Sequence, residues 1–240
     1  MLFGLLGKSL AHSFSAGFFN QKFKDLGLNH QYKNFEIDSI EKCVEIFTLK
    51  NLQGLNVTVP YKEQIIPYLD TLSQEAQKIG AVNVITIEKN QRIGYNTDVY
   101  GFEKLIEPFH LAIRDQVVVL GAGGAAKAVN YVLRHKGITP VTVVRSPQQG
   151  QISFEDFKDF DFSTLRMLIQ TTPVGLNPEE CLPITYEKLN RHHIVVDLIY
   201  NPSSTLFLKN AQHQGAKIVN GSLMLYQQAE KAWEIWQKSF

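Results

Sequence analysis

The stretch from Val117 to Val129, Val-Val-Val-Leu-Gly-Ala-Gly-Gly-Ala-Ala-Lys-Ala-Val, limits what this chain can become more than any other. Four apolar residues run directly into a glycine-rich turn, and helix-forming residues follow at once. A parallel strand covered on both faces reads as such an apolar run. Gly121, Gly123 and the small Ala126 fit the spacing G-x-G-x-x-A, which opens a dinucleotide-binding βαβ unit. In that unit Gly121 permits the tight turn, Gly123 lets backbone approach a pyrophosphate, and Ala126 lets helix lie close to strand. The N–H groups at the helix start hold the phosphates. Glycine turns also follow strands for packing reasons alone, so the turn by itself leaves a structural role open.

Composition narrows the class. With 240 residues the chain can form one large domain or two modest ones, each with its own core. The 24 basic and 23 acidic residues are interspersed and leave a net charge of +1. No basic stripe of the kind a nucleic-acid binder carries is formed. Cys43 and Cys181 lie far apart and match no metal or redox spacing, so no metal is expected and a reduced, cytoplasmic setting is the default. No apolar run has the length of a signal peptide core or a membrane span, which makes a membrane partner unexpected.

Periodicity predicts two α/β lobes with a boundary near Tyr100. In the first, strands are expected at Leu2–Leu6, Tyr32–Ile37 and Leu52–Val59, with Pro60 at the first position of a helix. Helices are expected from Ser13 to Gly27, from Ile40 to Leu49 and from Leu72 to Ile79. A hairpin spans Val82–Ile87 and Arg92–Tyr95 across Lys89-Asn90-Gln91. In the second, a helix from Val99 to Pro108 precedes alternating elements. These are the glycine strand, its crossover helix to His135, strands at Val141–Val144, Met167–Gln170, Ile194–Leu198 and Lys217–Val219, and a helix over Thr205–Gln214. Such alternation argues a parallel, doubly wound sheet. The segment Gln149–Thr164, with Phe154, Phe157, Phe160 and Phe162 among acids, is read as a short degenerate helix. Ser222 is expected to cap a long last helix whose Leu225, Ala229, Trp233 and Trp236 form an apolar stripe that crosses back to the first lobe.

Several residues could carry chemistry. In Gly54-Leu-Asn-Val-Thr-Val-Pro-Tyr-Lys62, a helix starting at Pro60 puts Lys62 in its first turn. The positive end of the helix dipole opposes a cation there, and partial burial would lower its proton affinity further, as suits a general acid or base. A solvated surface lysine is the plain alternative. Asp98 in Asn96-Thr97-Asp98 fits a helix cap and fits equally a carboxylate at the lobe boundary. Ser13 and Ser15 are ordinary helix-start residues that could also hold a carboxylate, and His12 just before them is read as structural. After the second strand of the nucleotide unit stands Arg145, where an NAD site presents Asp or Glu. Arginine favours the 2′-phosphate of NADP through a charge-assisted fork.

Taken together, these stretches resemble the shikimate dehydrogenases over nearly the whole chain. The resemblance rests on His12-Ser-Phe-Ser15, Asn56-Val-Thr-Val-Pro-Tyr-Lys62, Gly80-Ala-Val-Asn83, Gly94-Tyr-Asn-Thr-Asp98 and Gly121-Ala-Gly-Gly-Ala-Ala126. Thr171-Thr-Pro-Val-Gly175, Asp197-Leu-Ile-Tyr-Asn-Pro202 and Met224-Leu-Tyr-Gln-Gln228 continue it in family order. It implies a substrate domain at 1–99 and 222–240, a Rossmann-type dinucleotide-binding domain at 100–221, and a cleft between them. It further implies NADP-dependent reduction of 3-dehydroshikimate to shikimate by a monomer or homodimer. Lys62 and Asp98 match the catalytic pair. Ser13 and Ser15 match the hydroxyls on the substrate carboxylate, and Thr58, Asn83, Tyr200 and Gln228 match further substrate contacts, with Lys62 and Asp98 also touching it. Gly121, Ala122, Gly123, Gly124 and Ala125 match the pyrophosphate turn, Arg145 the 2′-phosphate contact, and Leu198 and Gly221 the nicotinamide end.

Departures from the family pattern stand beside these matches. Ala16 replaces the usual proline, Val144 replaces the usual asparagine, and Pro147-Gln148-Gln149 offers no second basic residue. Use of NAD alongside NADP is therefore open. A quinate/shikimate dehydrogenase with relaxed cofactor use and a metabolite-sensing relative without turnover are the alternatives. The second would be favoured by loss of Lys62 or Asp98, and both are present.

Overall fold

A computed structural model describes residues 1–11 and 13–239, so His12 lies outside the described residues. The chain divides into two compact units, Met1–Thr97 with Gln228–Phe240, and Asp98–Gln227.

The first unit opens with β1 (Leu2–Gly7), α1 (Phe14–Asp25) and β2 (Gln31–Glu36). There follow α2 (Cys43–Phe47), β3 (Leu52–Val57), α3 (Tyr61–Gln64), β4 (Thr71–Leu72), α4 (Gln74–Ile79), β5 (Val84–Glu88) and β6 (Gln91–Tyr95). They build one six-stranded sheet in the order β2-β1-β3-β5-β6-β4. β1 pairs in parallel with β2 and β3, while β3, β5 and β6 pair antiparallel. The predicted hairpin is β5–β6, and its tip residues Lys89 and Asn90 both take positive φ. Two boundaries differ from expectation. Pro60 sits just ahead of α3 rather than inside it. Thr71 and Leu72 extend as an edge strand paired to β6, so helix α4 begins later, after Ser73 accepts the N–H of Ala76 as its cap.

The second unit begins with α5 (Asp98–Ile106), β7 (Gln116–Leu120), α6 (Gly124–His135), β8 (Val141–Val144), β9 (Gln151–Ser153) and β10 (Leu165–Gln170). It continues with β11 (Ile194–Asp197), α7 (Leu206–His213) and β12 (Lys217–Asn220), and α8 (Ser222–Gln237) completes the chain's helices. The sheet runs β12-β11-β10-β7-β8-β9 with every pair parallel. This is the doubly wound order with its switch at β7. Val117 to Leu120 are wholly buried, as expected of a strand covered on both faces.

Two sequence expectations fail here for identifiable reasons. Gln149–Thr164 is not a degenerate helix. Its start pairs with β8 as the edge strand β9, joined by residues 145–150 alone and without a crossover helix. A single 3₁₀ turn, Asp156–Asp159, follows. The aromatic spacing that imitates a helix serves to pin this irregular segment, because Phe157 and Phe162 are buried in the core. Ser222 does not cap α8 either. It is the first helical residue, and the Asn220 side chain accepts its N–H at 3.1 Å.

The last turns of α8 belong to the first unit's core. Trp236 is fully buried, its ring lies 4.9 Å from Phe3 and 5.0 Å from Phe19, and its indole N–H donates to the Ile85 carbonyl at 3.0 Å. That fit needs glycine in β3, since a Cβ on Gly54 would lie 2.2 Å from Trp236 Nε1. Gly54→Ala is therefore expected to destabilise the first unit by about 1–3 kcal/mol through overpacking, read as a lower urea midpoint with an unchanged slope.

Candidate active site

In the first unit, polar residues that the apolar pattern would not place in a core are buried near the carboxyl ends of β1 and β3 and the start of β5. Ser13 precedes α1 with an extended backbone and makes no capping bond. Its hydroxyl is nevertheless buried and has no hydrogen-bond partner. A buried hydroxyl left unpaired is destabilising, and such an orphan marks a place where a ligand's acceptor would be welcomed. Ser15, two residues on, is also buried, and lies close enough to the Tyr32 phenol to influence its proton affinity. That phenol donates to Asn56 Oδ1 at 2.7 Å, and burial pushes its pKa well up, so it remains a neutral donor. The segment leading to Ser13 is held by Asn34, whose side-chain amide donates to the Leu10 carbonyl, and by Glu36, which accepts the Leu10 N–H.

A second cluster joins Asn83, Thr97 and Gln228. Asn83 Oδ1 accepts the Thr97 N–H at 2.7 Å, and its amide nitrogen donates to Thr97 Oγ1 at 3.0 Å and to Gln228 Oε1 at 3.4 Å. Asn96 donates to the Ala81 carbonyl at 2.9 Å. These bonds orient the Asn83 amide and fix the backbone directly before Asp98. Thr58 starts the turn that leads to α3. Its N–H donates to the Leu6 carbonyl and its own carbonyl accepts from Tyr61, which anchors the short helix carrying Lys62. Lys62 is half-buried, and its carbonyl accepts the Val82 N–H at 2.7 Å, so its backbone is tied beside Asn83.

In the second unit Asp98 is the first residue of α5 and is buried. Gly121 takes φ +112°, a conformation that side chains resist, and a Cβ there would also meet Thr171 Oγ1 at 2.6 Å. Around Gly123 the space is open, with nothing within 4 Å of where a Cβ would stand. Helix α6 starts at Gly124 and has no acidic residue in its first turn, so the N–H groups of Gly124 and Ala125 and the positive end of the dipole are uncompensated by carboxylate. Ala126 is fully buried, as close helix–strand packing requires. This turn fits a dinucleotide pyrophosphate. Arg145 follows β8 and is exposed. Leu198 and Tyr200 follow β11, Tyr200 half-buried, and Gly221 follows β12 with its N–H donating to the Ile199 carbonyl at 3.1 Å.

A sequence profile described as the shikimate dehydrogenase substrate binding domain matches residues 5–85. The NADP(+)-dependent shikimate dehydrogenase of Clostridium beijerinckii is 41% identical over 248 residues, covering 98% of this chain and 92% of the relative. The chain belongs to the shikimate dehydrogenase family. The crystal structure of shikimate dehydrogenase 1 from Peptoclostridium difficile superposes with a TM-score of 0.88 at 37% identity, covering all of this chain and 92% of that one. The Thermus thermophilus shikimate 5-dehydrogenase, solved with NADP(H) and shikimate, gives a TM-score of 0.85 at 30% identity, with 99% and 94% covered.

Within this member of the family, the residues picked out from sequence fall into two groups, one in each unit. Ser13, Ser15, Thr58, Lys62, Asn83 and Gln228 lie in the first, and Asp98, the glycine turn, Arg145, Leu198, Tyr200 and Gly221 in the second. Sequence reasoning passes over Tyr32, Asn56 and Thr97. The available signal is a polar side chain inside an otherwise apolar strand or turn, which must find a partner when buried. Because the Ser13 hydroxyl is already an orphan, Ser13→Ala is expected to leave the ligand-free melting temperature unchanged or slightly raised. Differential scanning calorimetry without substrate checks this, and a clear loss of stability would mean that the hydroxyl does have a partner.

Proposed function

We propose that this protein catalyses the reversible, NADP-dependent reduction of 3-dehydroshikimate to shikimate. The observation that carries the reading is the conjunction of a dinucleotide-type turn at Gly121 with an orphaned, buried hydroxyl at Ser13 and an oriented Asn83–Thr97–Gln228 cluster. One feature suits a nucleotide pyrophosphate, and the others suit a small, polyhydroxylated carboxylate. Near-full-length likeness to enzymes of that activity points the same way.

In the reducing direction bound NADPH would supply the hydride and leave as NADP+. The chain's own residues hold the ring and manage charge on the carbonyl oxygen. Ser13 and Ser15 hold the carboxylate, while Thr58, Asn83, Tyr200 and Gln228 contact the remaining polar groups of the ring. Each such contact rejects an analogue that lacks the matching group, since a buried partner would be left unpaired. Lys62 stabilises negative charge on oxygen and delivers its proton, and Asp98 orients the hydroxyl and the lysine. The N–H groups of the glycine turn hold the pyrophosphate, and Arg145 holds the 2′-phosphate.

Relaxed use of NAD is favoured by one specific observation. Residues 145–150 connect β8 to β9 without a helix, and Arg145 is the sole basic residue among them. A single exposed fork makes a thin phosphate clamp.

Purified protein is expected to reduce NADP when given shikimate, and absence of turnover with shikimate or quinate and either cofactor would sink the reading. Lys62→Ala should lower kcat by at least about 10²-fold with little change in KM, as befits a group acting in the transition state. Were KM to rise instead with kcat intact, Lys62 would be a binding residue. Arg145→Ala should cut the NADP-over-NAD ratio of kcat/KM by about tenfold, the scale of one charge-assisted contact, and an unmoved ratio removes Arg145 from the phosphate site.

A further inference from the structure

Between β11 and α7 the chain makes an irregular loop, residues 198–204, which carries both Leu198 and Tyr200. Its two ends are held by one carboxylate. Asp197 is fully buried at the last position of β11; its Oδ1 accepts the Ile199 N–H at 2.9 Å and its Oδ2 accepts the Thr205 hydroxyl at 2.6 Å. Thr205 is itself fully buried and caps α7, its Oγ1 accepting the Leu208 N–H at 3.3 Å. Strand end, loop start and helix cap are thereby linked through a chain of three hydrogen bonds. Further bonds bracket the start of the loop. The Leu198 N–H donates to the Gln170 carbonyl at 3.0 Å, Gly221 N–H donates to Ile199 O, and a Cβ on Gly221 would lie 2.0 Å from Leu198 O.

A buried carboxylate is a costly way to close a loop, and an apolar residue would pack there at less expense. Burial pushes the Asp197 carboxyl up to about 6, which still leaves it ionised at neutral pH, with charge-assisted bonds to both donors. The Tyr186 phenol is the titratable neighbour that feels this charge, and its pKa is raised in consequence of burial first, then of Cys181 and Asp197.

We infer that Asp197 and Thr205 are positioning residues: they fix the Leu198 backbone and the Tyr200 ring, and through them the nicotinamide end and the substrate, touching neither. This rests on the proposed reaction, in which Leu198 and Tyr200 make those contacts.

The test compares Thr205→Val, which keeps shape and removes the hydroxyl, with Thr205→Ser, which restores it. Both are assayed for shikimate oxidation well below their melting temperatures. Thr205→Val is expected to lower kcat/KM for shikimate by about tenfold to hundredfold, the range for a buried hydrogen bond lost, while the serine variant recovers to within about threefold of wild type. Because the effect runs through Tyr200, adding Thr205→Val to Tyr200→Phe should cost less than about threefold more, a departure from additivity. Binding of 2′-phospho-ADP-ribose, which carries the pyrophosphate but lacks the nicotinamide, should change by less than about twofold when measured by calorimetry, since the glycine turn lies outside the hydrogen-bonded chain. Kinetic constants indistinguishable from wild type in a folded Thr205→Val, or full additivity with Tyr200→Phe, would overturn the inference. Should Thr205→Val fail to fold, Thr205→Ala, which removes the same hydroxyl with a smaller side chain, takes its place in the same measurements, with the same outcomes supporting or overturning the inference. Failure of the underlying reaction is separately visible as a wild-type protein without turnover, which removes the inference with it.

Discussion

A parallel strand that must hand its chain to a helix across a turn at φ +112° has few ways to do so, and much of the second unit follows from that handover. Gly121 bends the chain, and a side chain there would strike Thr171 at the end of the neighbouring strand β10. The turn brings the first N–H groups of α6 to the carboxyl end of β7, where the strand order reverses. There the unpaired donors and the helix dipole act together on whatever anion arrives. Loops after β8, β10 and β11 emerge at the same end of the parallel sheet, because parallel strands share a direction. Arg145, Leu198 and Tyr200 are placed by this common polarity, although they come from distant parts of the sequence.

The first unit is governed by a different constraint, the pairing of buried polar groups. Asn83, Thr97 and Gln228 satisfy one another, and the Asn83 amide is held one way round because its oxygen must face the Thr97 N–H. Tyr32 and Asn56 pair in the same way beside Ser15. Against that background the unpaired Ser13 hydroxyl is a local exception. Buried groups that already satisfy one another are held in place before a ligand binds, so less ordering remains to be done when it does.

Most of the architecture is legible in the sequence because strand and helix periods are strong where elements are long or fully buried. Val117–Leu120 and the Phe14–Phe23 stripe belong to this class. The failures share a cause as well. In Gln149–Thr164 four phenylalanines at near-helical spacing mean burial, not helix, because Phe157 and Phe162 anchor a loop that follows a three-residue edge strand. At Ser222 a good capping residue falls one position inside the helix, and the Asn220 side chain accepts the Ser222 N–H from two residues back. Candidate site residues stand out where they lie in dense motifs, as Lys62 and Asp98 do. Thr97 lies inside such a motif and still escapes notice, since its role depends on Asn83 and Gln228, which no local pattern brings to it.

The last helix gives the first unit an unusual birth order. Lys22 on α1 bonds to Glu230 on α8 across 208 residues of sequence, and Trp236 fills the space between Phe3, Phe19 and Gly54. On a ribosome that makes about 5–20 residues each second, the aromatic face of α1 and β1 waits roughly ten to forty seconds for these tryptophans. The second unit, whose sheet is complete at Asn220, is synthesised in that interval and can fold first. The early strands of the first unit are thus completed only after the whole of the second unit has been made.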